Sequence, residues 1–117
     1  GHTVGHAIES VTKYRRFRHG EAVAFGMLAA ASIAETRGEF SITGYDELGA
    51  LIRRLGPLPS TSDLSIQQII NTIKQDKKII QGKLHFVLPT GIGLTTIVED
   101  VTSKQIERAL KQIGMRN

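Results

Sequence analysis

At 117 residues the chain is long enough for one compact domain and short for two, and its 40% apolar content supports a single ordinary core. The absence of Cys removes disulfides, thiolate nucleophiles and sulfur metal ligands, and the absence of Trp with only 2 Tyr leaves Ala, Ile and Leu to fill the core, which favours packed helices over an aromatic-rich sandwich. A net charge of +4 makes nucleic-acid binding the first reading to weigh, and no apolar run approaches the roughly 20 residues that span a bilayer.

In chain order, the spacing of Val4, Ile8 and Val11 predicts a short helix from Thr3 to about Val11. Lys13 to Arg18 reads as a charged connection. Gly20 to Arg37 is the strongest helical segment: apolar residues run from Ala22 to Ala34 with almost no polar face, as in a helix buried on most sides, and Gly38 is its stop signal. A further helix is expected from Tyr45 to Leu55 through Leu48, Leu51, Ile52 and Leu55, broken by Gly56-Pro57-Leu58-Pro59. Ser65 to about Lys74 follows, with Ile66, Ile69, Ile70 and Ile73 on one face and several N-cap candidates from Ser62 to Ser65. Leu84–Leu88 and Leu94–Val98 read as strands of a small β-hairpin around a Pro89–Gly93 turn. A last helix, Thr102 to Ile113, has Ser103 as its expected cap. The expected fold is therefore mainly α: one multihelical domain over residues 1–117 around a buried central helix, with one small β-hairpin before the C-terminal helix.

The candidate chemistry is concentrated at the start. His2 and His6 are four apart, so a helix covering both projects them from one face about one turn apart, where one could serve as a ligand and the other as an acid or base. His19 stands just before Gly20-Glu21 at the head of the central segment. Imidazole is a common zinc ligand, and a catalytic zinc site needs about three protein ligands with one position open. Glu9 and Glu21 are possible local carboxylates, though helix-surface charge explains each more simply. Gly1, Gly5, Gly20 and Gly26 lie in or beside these helices, where glycine suggests close approach of a backbone or a ligand. Gln75-Asp76-Lys77-Lys78 is expected to follow a helix end, where the lysines either complement the helix dipole or meet an anionic substrate. His85 reads as structural. The basic clusters are short, and no aromatic residues interleave Lys74, Lys77 and Lys78 as a base-stacking platform would need. Chemistry this dense at the first residues also reads like the middle of a longer chain.

Three blocks carry a resemblance. Gly1-His2-Thr3-Val4-Gly5-His6-Ala7-Ile8-Glu9, His19-Gly20-Glu21-Ala22-Val23-Ala24 with Gly26-Met27, and Asp76-Lys77-Lys78 followed by Gly82, Phe86-Val87-Leu88-Pro89 and Ile92-Gly93 resemble, in that order, segments of the 3-dehydroquinate synthases. The resemblance implies conversion of 3-deoxy-D-arabino-heptulosonate 7-phosphate to 3-dehydroquinate and phosphate in the shikimate pathway, with catalytic NAD and a divalent metal, zinc or else cobalt. It implies that His2 and His19 are metal ligands, that His6 is an acid/base group or phosphate contact, and that Lys77 binds substrate, with Lys78 as second choice. His2, His6, His19 and Lys77 would together contact the sugar-acid phosphate. The family's third ligand, a Glu, and its Asn and Arg substrate contacts precede the first residue here, as does its NAD-binding domain. On this reading the chain is a C-terminal part, inactive alone and holding zinc weakly, with its first helix loosely held. The resemblance further implies a homodimer; the absence of Cys is compatible with a cytoplasmic protein, and the short basic clusters and lack of a long apolar run lead us to expect neither nucleic-acid nor membrane binding. The competing readings are another sugar phosphate cyclase, a basic nucleic-acid-binding module, and an interaction domain with incidental histidines.

Overall fold

The computed structural model describes residues 2–13, 17–54, 56, 58–80, 86–91, 94–98 and 101–116. Among them are five helices, α1 (His2–Val11), α2 (His19–Thr36), α3 (Ile42–Arg54), α4 (Ile66–Ile80) and α5 (Ser103–Gln112), and two strands, β1 (Phe86–Gly91) and β2 (Leu94–Val98). The chain is mainly helical, as its composition predicts.

The central position of α2 follows from its composition. Ala22, Ala24, Phe25, Ala29, Ala30, Ala31, Ile33 and Ala34 are all buried, and the small alanine side chains allow neighbouring elements close on several sides. Helices α1, α3 and α5 and strand β1 all pack against it. The core joins Val4, Ala7 and Ile8 of α1 to Ile33 of α2, Ile66, Ile69, Ile70 and Ile73 of α4, Leu88 of β1, and Ile106 and Leu110 of α5. Burying each of the Val, Ile and Leu side chains among them is worth about 1.5–3 kcal/mol. In the first helix Val4, Ala7 and Ile8 are at most 2% exposed, packed against partners within this chain.

Several boundaries differ from the sequence expectation, each for a local reason. Helix α3 begins at Ile42, ahead of the expected Tyr45, because the Ser41 hydroxyl accepts from the Gly44 amide at 2.9 Å and caps the helix. Its inward residues are Gly49 and Ile52, while Leu51 faces outward at 56% exposure. Helix α4 continues past Lys74 to Ile80, since no glycine or proline interrupts it before Gly82. Lys77 and Lys78 therefore belong to its last turn. Thr102, not Ser103, caps α5: its hydroxyl accepts from the Gln105 amide at 3.2 Å while the Gln105 side chain accepts from the Thr102 amide at 3.1 Å. Of the N-cap candidates before α4, Ser65 takes the role, accepting from the Gln68 amide at 3.3 Å.

Gly38 terminates α2 as predicted. With φ at 77° it turns the chain so that its own amide reaches the Glu35 carbonyl and the Glu39 amide reaches the Ala34 carbonyl, closing a Schellman motif. Strands β1 and β2 pair antiparallel from Phe86 opposite Val98 to Gly91 opposite Leu94, with a register shift between Pro89 and Gly91. Strand β1 thus runs through Pro89, which the sequence reading places in the turn. Each strand of a two-stranded sheet is an edge, where proline is tolerated. Leu84 and His85 lie outside the described residues.

Helices α1 and α2 approach closely at Gly5. A Cβ there would lie 2.8 Å from the Ala22 carbonyl oxygen, an atom of backbone that cannot swing aside. Gly5→Ala is expected to destabilise the chain by about 1–3 kcal/mol through this clash. Urea unfolding measures the loss, and an unchanged midpoint would contradict the close approach. At Gly20, by contrast, an added Cβ would meet no described protein atom within 4 Å, so no neighbouring backbone approaches it there.

Candidate functional site

The histidines are placed by two devices. In α1, positions 2, 6 and 9 fall on one stripe of the helix because 3.6 residues make a turn. Phe17, 6% exposed, plugs the connection before α2 into the core and meets Phe25 edge-to-face at a centroid distance of 5.8 Å and an interplanar angle of 84°. That anchor fixes where α2 begins, and so where His19 stands relative to α1.

Two carboxylates then take separate jobs at the head of α2. Glu21 accepts from the Arg18 backbone amide at 2.8 Å, closing the first turn of the helix. Glu9 reaches across from α1 to His19: Nδ1 lies 3.2 Å from Oε2 and 3.3 Å from Oε1. Glu21 is thus a charge serving a helix N-terminus, as its sequence position suggests. Glu9 is more than helix-surface charge, because it bonds to a histidine of the neighbouring helix. Glu9 shares the α1 stripe of His2 and His6, three residues beyond His6 and seven beyond His2, but that spacing does not announce its contact with His19.

The His19 side chain is 73% exposed, whereas that of Glu9 is 15% exposed. A carboxylate only accepts hydrogen bonds, so in this contact the imidazole Nδ1 carries a proton, and in the neutral ring Nε2 is then the nitrogen with the lone pair. His6 is exposed on α1. The side chains of His2 and Lys77, both predicted site residues, lie outside the described part, although their backbones belong to α1 and α4. The structure thus brings His19 to Glu9 on the α1 stripe that also carries positions 2 and 6.

Neutral imidazole nitrogen suits zinc, and an Nδ1 held by a carboxylate with Nε2 open is the arrangement metal-binding histidines commonly use. His19 fits as one donor. Among the described residues no group of three or more His, Cys, Asp or Glu could hold a metal ion. At the α2 start lies an open cleft of about 490 Å³ between Arg18, Gly20, Glu21 and Ala24 and the Ile52, Gly56 and Leu58 region. Neither His6 nor His19 is among the described residues that line it. No helix among the described residues is long and apolar enough to cross a membrane.

Residues 1–79 match the family described as 3-dehydroquinate synthase C-terminal. A 3-dehydroquinate synthase from Nostoc sp. is 46% identical over 97% of the chain and 31% of its own length. A 2-epi-valiolone synthase from Actinosynnema mirum is 41% identical over 97% of the chain and 31% of its own length. Among solved structures, ValA, a 2-epi-5-epi-valiolone synthase from Streptomyces hygroscopicus subsp. jinggangensis with NAD+ and Zn2+ bound, superposes with a TM-score of 0.76 at 27% identity, covering 94% of this chain and 31% of that one. The chain therefore spans about 31% of the length of the relatives it matches.

Proposed function

The chain belongs to the 3-dehydroquinate synthase C-terminal family, and from that premise we propose that it supplies the metal and substrate half of a cytoplasmic sugar phosphate cyclase, specifically one that converts 3-deoxy-D-arabino-heptulosonate 7-phosphate to 3-dehydroquinate and phosphate. The observation that carries the reading is His19 held by Glu9 with Nε2 open, beside the α1 stripe that bears His2 and His6.

In this reading His2 and His19 hold a divalent metal, zinc or else cobalt, together with a carboxylate from outside these 117 residues. When bound, the metal supplies Lewis acidity that lowers the cost of deprotonating a substrate hydroxyl. His6, exposed on the same stripe, moves a proton at an imidazole nitrogen. Lys77, in the last turn of α4, offsets the negative charge of the sugar-acid phosphate. NAD is held by a nucleotide-binding domain beyond this chain, and the NAD+ and Zn2+ bound to the ValA structure support that pairing.

The second reading is another cyclase of the same group, favoured by the 2-epi-valiolone synthase relative at 41% identity. The two are separated by product. The full-length polypeptide that carries these residues, given zinc, NAD and 3-deoxy-D-arabino-heptulosonate 7-phosphate, is expected to release phosphate and 3-dehydroquinate. No turnover of that substrate, with formation of 2-epi-valiolone from another sugar phosphate, would transfer the assignment to the second reading.

A further inference from the structure

Resting on the assignment of His19 as a metal ligand, we propose that Glu9 is a positioning residue for it: across the α1–α2 junction it holds the imidazole in the Nδ1–H form and presents Nε2 to the metal. The side chain of Glu9 is 15% exposed, so its carboxylate is partly withdrawn from water and gains from a donor, while the ring it holds is 73% exposed and open to a ligand. Both carboxylate oxygens lie within hydrogen-bond distance of Nδ1, at 3.3 and 3.2 Å. Which ring nitrogen of a histidine coordinates is set by the bond that the other one makes. Glu21, two residues from His19, is committed to the Arg18 amide at 2.8 Å. Of these two carboxylates, Glu9 is the one bonded to the imidazole.

The bond is not what holds the two helices together. Val4, Ala7 and Ile8 are buried in the core, and Gly5 already sits against the Ala22 carbonyl. Loss of the Glu9 carboxylate should accordingly leave α1 packed on α2 and change only the ring. A partner of this kind also steadies the orientation of a ligand before metal arrives, and losing it typically weakens metal binding about 10–100-fold.

The test compares wild type, Glu9→Gln and Glu9→Ala in the full-length polypeptide. Long-range imidazole ¹⁵N spectra report the tautomer of His19 without metal, and zinc affinity is measured by competition with a chelator. Wild type is expected to show Nδ1–H at His19. Glu9→Ala is expected to shift His19 toward the Nε2–H form and to weaken zinc binding about 10–100-fold. Glu9→Gln, whose amide oxygen can still accept from Nδ1–H, should keep the tautomer and fall between. An unchanged tautomer and unchanged zinc affinity in Glu9→Ala would overturn the proposal, whether or not the melting temperature falls. A wild-type protein that binds no zinc would overturn the ligand role of His19 and the positioning role with it. Zinc binding by the wild type therefore tells the two failures apart.

Discussion

Ile33→Ala is expected to lower the unfolding free energy by about 2–5 kcal/mol. Ile33 is fully buried on α2 and belongs to the core that joins α1, α2, α4, β1 and α5. Truncation removes the transfer free energy of the lost methylenes and leaves a cavity, and the site has little means of collapsing. The surrounding α2 residues are mostly alanines on a rigid helix, which have no longer side chain to swing into the gap. Domains of this size hold about 5–15 kcal/mol in total, so the loss should move the thermal midpoint down by on the order of 10 °C. A denaturant titration measures it, and the slope should stay constant if only the native state is affected. The outward Leu51 is the control: at 56% exposure, Leu51→Ala should cost well under about 1 kcal/mol.

His19→Ala should leave the fold intact and weaken metal binding by more than about 100-fold, beyond what loss of an orienting partner produces. The side chain is 73% exposed and its bond runs to Glu9, so truncation opens no cavity. It also frees the Glu9 carboxylate to meet water. Stability and metal affinity are thus expected to separate: an unchanged unfolding midpoint with lost zinc binding. In the full-length enzyme, turnover should fall with metal occupancy and recover in part at high zinc. Unaltered zinc affinity in His19→Ala would move the metal site away from α2.

The features legible in the sequence are those that repeat or punctuate. The all-round apolar run of Ala22 to Ala34 announces a buried helix, and Gly38 announces its end. The isoleucine period announces the inner face of α4. Less legible are boundaries set by a single hydrogen bond. Ser41 and Thr102 look like ordinary polar residues until the amides of Gly44 and Gln105 are seen to point at them. Periodicity puts Leu51 on the wrong face because Gly49, with no side chain, gives no hydrophobic signal yet lies on the buried one.

The site divides in the same way. Histidine spacing and family resemblance single out His2, His6 and His19, and the match over residues 1–79 agrees with the family so identified. The partnership of Glu9 with His19 is hidden from the sequence, because it joins positions ten residues apart across two helices. No periodic rule covers such a contact. It depends on how α1 docks on α2, which Gly5 and the Phe17 anchor determine. Lys77 reads in the sequence as following a helix and instead belongs to the last turn of α4.

X-ray absorption spectroscopy on the zinc-loaded full-length polypeptide bears straight on the assignment of His2 and His19 as ligands, because imidazole rings leave multiple-scattering features that can be counted. Two imidazole nitrogens are expected at about 2.0–2.1 Å with oxygen completing the shell, and His19→Ala is expected to remove one of them. A shell of oxygen alone, or one unchanged by His19→Ala, would contradict the assignment.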